Sequence, residues 1–204
     1  MFRYLLLSAI ALTLVGCSLT PQQPDAVGAL NQQQWRQHSR ALEPINKWEL
    51  TGKLGLRSPA QSGSAMLTWY QDKNYFDIRL NGPLGQGATR LSGQPGRVRL
   101  DISSKGSFVS SSAEALMQHE LGWSLPVEYL LSWAKGLPVK KLAFNAQYDQ
   151  QSRLAELNQA GWKIEYLDYQ SDAPGALPTR MKVQGNQLQL TLVIKEWNAS
   201  RAAK

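Results

Sequence analysis

The chain has 204 residues, with 22 Lys and Arg against 15 Asp and Glu and a formal net charge of +7. Its single cysteine excludes an internal disulfide framework. The basic residues are dispersed, without the dense run that marks a nucleic-acid-binding arm, so their charge acts diffusely.

Arg3 precedes an apolar run at residues 5–15. The run is shorter than the roughly 20 residues a spanning helix needs and has the size of a secretory h-region. It ends in Leu14-Val15-Gly16-Cys17, which resembles the lipobox of bacterial lipoprotein precursors. That resemblance implies a signal peptide at residues 1–16, cleavage before Cys17, a diacylglyceryl group on the Cys17 thiol and acylation of the new amino terminus. An uncleaved anchor with an incidental cysteine is the competing account, but modification better explains a lone thiol in an exported chain. Ser18 in place of aspartate implies transfer to the outer membrane, with attachment at its periplasmic face by lipid and not by a spanning segment. Loss of residues 1–16 removes Arg3 alone among the charges, leaving 21 basic and 15 acidic residues and a net charge of +6. Anionic headgroups or an acidic protein suit that charge, a solvated surface with no partner is equally open, and nucleic acid is not expected.

Residues 18–34 (SLTPQQPDAVGALNQQQ) are polar and rich in proline and glutamine, so residues 17–34 read as a lipidated amino terminus and flexible tether. Residues 35–204 suffice for one domain with a real core. WRQHSRALE, residues 35–43, predicts a short helix stopped by Pro44. The period then changes. Trp48, Leu50, Gly52, Leu54 and Leu56 alternate with polar residues, as in an antiparallel strand with one dry face. Ala65, Leu67 and Trp69 repeat the pattern, as do Phe76, Ile78 and Leu80, then Val98, Leu100 and Ile102. After a turn at residues 158–161 come Trp162, Ile164 and Tyr166, and after a tight turn at Gly185-Asn186 come Leu188, Leu190, Leu192 and Ile194.

Ser111-Ser-Ala-Glu114 reads as a capping box opening a helix that runs to Leu121. Pro126 opens a second helix, with Val127, Leu130, Leu131 and Ala134 as its apolar stripe and Gly136 at its end. A helical hairpin is thus inserted into a meander. The expected fold is mainly β with an α insert, a curved antiparallel sheet with helices over its concave side.

Catalysis has no visible carrier. His38 and His119 stand apart without metal-ligand spacing, and the chain has no nucleophile elbow or phosphate-cradling loop. No cofactor or metal is called for, and binding is the better reading than enzymology. Seven tryptophans and seven tyrosines are many for this length. Trp48, Trp69, Trp133 and Trp162 fall on apolar faces, where core packing accounts for any one of them, while a sheet curled under helices can also leave an apolar hollow.

These features together resemble the LolB family of outer-membrane lipoproteins. The resemblance is carried by the lipobox, Trp35-Arg-Gln-His38, Asn81-Gly-Pro-Leu-Gly85, Gln94-Pro-Gly96, Trp133-Ala-Lys-Gly-Leu-Pro138 and the strand ending at Trp197. It implies an unclosed (half) antiparallel β-barrel, a helical lid and a hydrophobic cavity for acyl chains. It further implies a monomer that takes triacylated lipoproteins from the periplasmic carrier LolA and inserts them into outer-membrane phospholipid. On that reading Leu50, Leu54, Leu67, Trp69, Phe76, Ile78, Leu130, Leu131, Trp133, Trp162, Ile164, Leu190 and Leu192 are candidates for the cavity lining. Leu84, held out by Gly82, Pro83 and Gly85, is the candidate membrane-insertion tip; a buried tip is the alternative from the residues alone. The stretch Gln86-Gly-Ala-Thr-Arg90 departs from the family's alternation of acidic and apolar residues, which implies a later strand start and a more mobile loop; Arg90 reads first as a solvated surface arginine, with a headgroup contact as the alternative. The competing function is a structural outer-membrane lipoprotein that scaffolds an assembly complex, with a filled core.

Overall fold

A computed structural model describes residues 26–82 and 87–200. The expected signal peptide and Cys17 lie outside the described residues, as do Pro83, Leu84 and Gly85.

Among the described residues, eleven antiparallel strands form one sheet in the order β6-β5-β4-β3-β2-β1-β11-β10-β9-β8-β7. The chain enters at the centre with β1 (Lys47–Arg57) and steps outward through β2 (Ser62–Asp72), β3 (Tyr75–Gly82), β4 (Gly87–Gln94) and β5 (Arg97–Ile102) to the edge β6 (Gly106–Ser110). It reappears at the opposite edge as β7 (Phe144–Tyr148). From there β8 (Leu154–Gln159), β9 (Trp162–Tyr169), β10 (Pro178–Gly185) and β11 (Leu188–Ser200) lead back to β1. The two edges do not pair with each other, so the barrel is unclosed. Residues 111–143 must travel from one edge to the other, and they carry α2 (Ala113–Leu121) and α3 (Val127–Trp133). This connectivity is what lays helices across the open side.

Alternation does the rest. In β1, Trp48, Leu50, Leu54 and Leu56 are buried while Lys47, Glu49, Lys53 and Arg57 are exposed. One wet and one dry face fixes the register, because a one-residue slip would turn every apolar side chain into water. The β1–β11 ladder contains a bulge between Thr51 and Gly52. A Cβ on Gly52 would overlap the Val193 carbonyl oxygen, so only glycine fits this close approach. The β10–β11 turn is centred one residue later than predicted. Gly185 pairs with Leu188, and Asn186 and Gln187 take the two positive φ angles, 49° and 61°.

The amino-terminal helix is longer than expected. α1 spans Ala26–Leu42 and so takes in residues 26–34, which the sequence assigns to the tether. Trp35 is half-buried, and His38 and Leu42 are buried. Trp35 meets Tyr148 at a ring separation of 5.2 Å, while His38 Nδ1 accepts a hydrogen bond from Gly175 N–H at 3.0 Å. α1 therefore docks at the end of the sheet where β1 begins and β9 ends. The β3–β4 hairpin closes at the other end.

Candidate functional site

The inward faces of β1–β5 and β11 and the underside of the insert enclose a cavity of about 60 Å³ with apolar walls. Leu54, Leu67, Trp69, Ile78, Leu190 and Leu192 form the sheet side together with Leu80, Thr89, Leu91 and Leu100. Met117 and Leu121 of α2, Trp123 and Leu125 of the connection, and Val127 and Leu130 of α3 form the roof. Leu80 and Thr89 are cross-strand partners two positions before the last pair, Gly82 and Gly87, so the wall reaches almost to the hairpin end.

Six of the candidate positions stand elsewhere. Leu50, Phe76, Trp133, Trp162 and Ile164 are buried outside the cavity wall. Leu131 is half-buried on the far side of α3, beside Trp48 and Lys135. The physical reason is aromatic packing. Trp48 lies 4.9 Å from Trp69 and 5.1 Å from Trp197, and Trp133 lies 5.7 Å from Tyr129 and 6.4 Å from Trp162, ring centre to ring centre. These rings fill the interior around Trp133 at the end of α3, and the hollow remains beneath α2, the connection and the first turn of α3. Leu80, Leu91 and Leu100 were readable as inward strand positions, whereas Trp123 and Leu125 sit on irregular backbone that has no period to read.

The two halves of the lid are fastened unequally. At the α3 half, the Gln159 side chain is buried and makes four hydrogen bonds. Its Oε1 accepts from Trp133 Nε1 at 2.9 Å and from Val139 N–H at 2.8 Å, and its Nε2 donates to the carbonyls of Val139 and Leu142 at 3.0 and 3.2 Å. Tyr166 donates its hydroxyl to the Trp133 carbonyl at 2.9 Å, and Lys135 Nζ donates to the Ile45 carbonyl at 2.8 Å. Burial lowers the Lys135 pKa, with Glu43 pulling the other way. The α2 half has Ser112 capping Ala115 N–H at 3.2 Å, and Lys105 Nζ donating to the Glu120 carbonyl at 2.7 Å on the surface. Otherwise Ala113, Leu116 and Met117 hold it by apolar contact. Such contact is non-directional and tolerates sliding.

On the outer face Asp77 is buried between two arginines. Arg90 binds it through Nε at 3.0 Å and a terminal nitrogen at 2.6 Å, and Arg79 does so at 3.1 and 2.9 Å. Burial pushes the Asp77 carboxyl up, but the hydrogen bonds from Arg90 and Arg79 outweigh it and hold the group below its usual range. Arg90 is thus a member of a bidentate ion cluster on the sheet. β4 begins at Gly87, so the expected late strand start is not found.

Residues 46–197 match the LolB family profile, described as outer membrane lipoprotein LolB. The chain belongs to the LolB family. It is 44% identical to the outer-membrane lipoprotein LolB of Stutzerimonas stutzeri (strain A1501), over 97% of this chain and 96% of that one. Against the LolB of Pseudomonas syringae pv. syringae (strain B728a) the identity is 42%, over 96% and 95% of the two chains. LolB membership makes the chain an outer-membrane lipoprotein and not an enzyme. Among solved structures, a LolA superfamily protein from Nitrosomonas europaea superposes with a TM-score of 0.51 at 8% identity, covering 85% of this chain and 94% of that one. At that identity the likeness is one of fold, and the shared fold is the half-barrel.

Proposed function

We propose that the chain accepts acylated lipoproteins from the periplasmic carrier LolA and passes them to the inner leaflet of the outer membrane, itself tethered there through Cys17. The observation that carries this reading is the apolar cavity beneath a lid whose α2 half is held mainly by apolar contact. An engineered apolar cavity of about 150 Å³ takes up a benzene, so a cavity of about 60 Å³ must widen before it holds a whole acyl chain. Acyl chains enter only as the lid moves, and α2 is the half free to move.

The physics of the cargo favours such a device. A triacylated lipoprotein has roughly 45 chain carbons, and at about 0.8 kcal/mol per methylene their exposure costs tens of kcal/mol. Release from one carrier must therefore coincide with capture by the next, down a gradient of affinity. Leu84 would then bias the hairpin toward lipid, since burying one leucine contributes about 1.5–3 kcal/mol, far less than an acyl anchor.

The test is binding of a fluorescent fatty-acyl probe to the purified chain, and its displacement by a triacylated lipoprotein. Saturable binding reversed by the lipoprotein is expected. A chain that leaves the probe free in buffer behaves as a filled scaffold, and the proposal fails.

A further inference from the structure

One residue of the cavity wall carries a buried polar atom without a partner among the described residues. Trp123 follows Gly122, the left-handed residue that caps α2, and lies at the joint of the lid. Its side chain is 7% exposed, yet its indole N–H has no acceptor among the described residues. Other inward indoles are treated differently. Trp69 donates to Gln71, Trp133 to Gln159 and Trp197 to the Pro178 carbonyl, at 3.1, 2.9 and 2.7 Å. Buried donors are almost always paired, and an exception calls for a reason.

Position supplies one. Trp123 lines the apolar cavity on one side and, on the other, a polar depression of about 280 Å³ bounded by Ser58, Gln118, Ser124, Asn186 and Gln187. That depression is built on the β1–β2 and β10–β11 turns, at the same end of the strands as Gly82 and Gly87. The indole is therefore the partition between a hydrocarbon compartment and a polar one. A molecule with a long chain in the first and a polar body in the second has its linkage at this partition. In an acylglycerol the linkage is an ester, whose carbonyl oxygen is an acceptor and nothing else.

Building on the acyl-binding reading above, we infer that the Trp123 indole N–H donates a hydrogen bond to the glyceryl ester carbonyl of the bound acyl chain. Trp123 thereby sets how deep the chain goes and favours esters over plain hydrocarbon. A lipoprotein's diacylglyceryl group and a phospholipid both present that carbonyl.

The experiment compares two fluorescent glycerol probes on the full chain, one with two palmitoyl esters and one with the corresponding alkyl ethers. The ester should bind about tenfold more tightly. Trp123→Phe should erase that preference, so that the variant binds ester and ether alike. Equal affinities in the unaltered chain, or a preference that survives in Trp123→Phe, overturns the inference. With ¹⁵N-tryptophan label, one of the seven indole N–H signals should move on ester binding and not on ether binding; if none does, the inference fails even should the variant not fold. Displacement of the ester probe by a triacylated lipopeptide assigns the carbonyl to cargo, and displacement by phospholipid alone assigns it to the bilayer. Displacement by neither overturns the donor role. If both probes fail to bind, the acyl-binding reading itself is wrong.

Discussion

Replacing Gln159 by leucine tests whether hydrogen bonds fasten the α3 half of the lid. Gln159 is 3% exposed and serves Trp133 Nε1, Val139 N–H and two carbonyls. Leucine is of similar size but satisfies none of them. Trp133 is fully buried, so its indole would bear the whole desolvation penalty of about 1–3 kcal/mol. Val139 is half-buried and the Leu142 residue is 37% exposed, so water can replace part of what their groups lose. The sum is about 3 kcal/mol, a large share of the roughly 5–15 kcal/mol that holds a domain together. In a chain of this length it would lower Tm by roughly 6–12 °C. Urea denaturation followed by circular dichroism reads the loss. Adding Trp133→Phe to Gln159→Leu removes the stranded donor, so the double variant should lose less than the sum of the single losses, by about 1 kcal/mol or more. A loosened lid should also admit a fatty-acyl probe faster. A loss under about 1 kcal/mol together with strict additivity would refute the claim that these bonds pin the lid.

Leu84→Glu should leave folding and receipt of cargo unchanged while blocking its delivery into liposomes; delivery at the unaltered rate removes the hairpin tip from the mechanism. Gly52→Ala should destabilise by about 3 kcal/mol, because the new Cβ meets backbone that cannot yield without breaking the β1–β11 bulge. An unchanged urea midpoint would show that the bulge is soft. His38 gives a pH dependence. Burial first, and then the Arg153 guanidinium, push its pKa down from 6.5 to about 4 against the opposing pull of Asp149, with the Tyr169 ring edge-on beside it. The unfolded chain therefore binds the proton more readily. This contribution is complete above pH 6.5 and is lost as pH falls toward 4, by roughly 2 kcal/mol between pH 7 and pH 4.5. In His38→Gln the urea stability should fall less over that interval, and an identical fall in both proteins would contradict the assignment.

How far the fold was legible depended on whether burial imposed a period. β1, β2, β3, β5, β9 and β11 each keep one dry face, and their alternation was visible from Trp48 to Ile194. β7 is nearly all exposed and so has no dry face to announce it. Across from it the pairing shifts between Gln147 and Tyr148, and the buried residues of β8, Leu154, Leu157 and Gln159, are unevenly spaced. Residues 31–34 of α1 are polar and exposed, so they offer no apolar stripe to read. For the cavity, inward-facing strand leucines were readable, but which of them meet empty space was not. That depended on where the aromatic rings crowd together under α3. Trp133 and Trp162 looked like cavity walls and are packing, while Trp123, on a stretch without regular structure, is the tryptophan at the joint.

The most direct measurement of the central claim is an intermolecular NOE spectrum of the methyl-labelled chain with a bound palmitoyl ligand. Contacts should run from the chain methylenes to the methyls of Leu54 and Leu192, neighbours on the sheet wall, and of Leu130 in the roof, with the α2 signals shifting as the lid opens. Contacts confined to exposed side chains such as Val109 or Leu167, with the interior methyls silent, would contradict it.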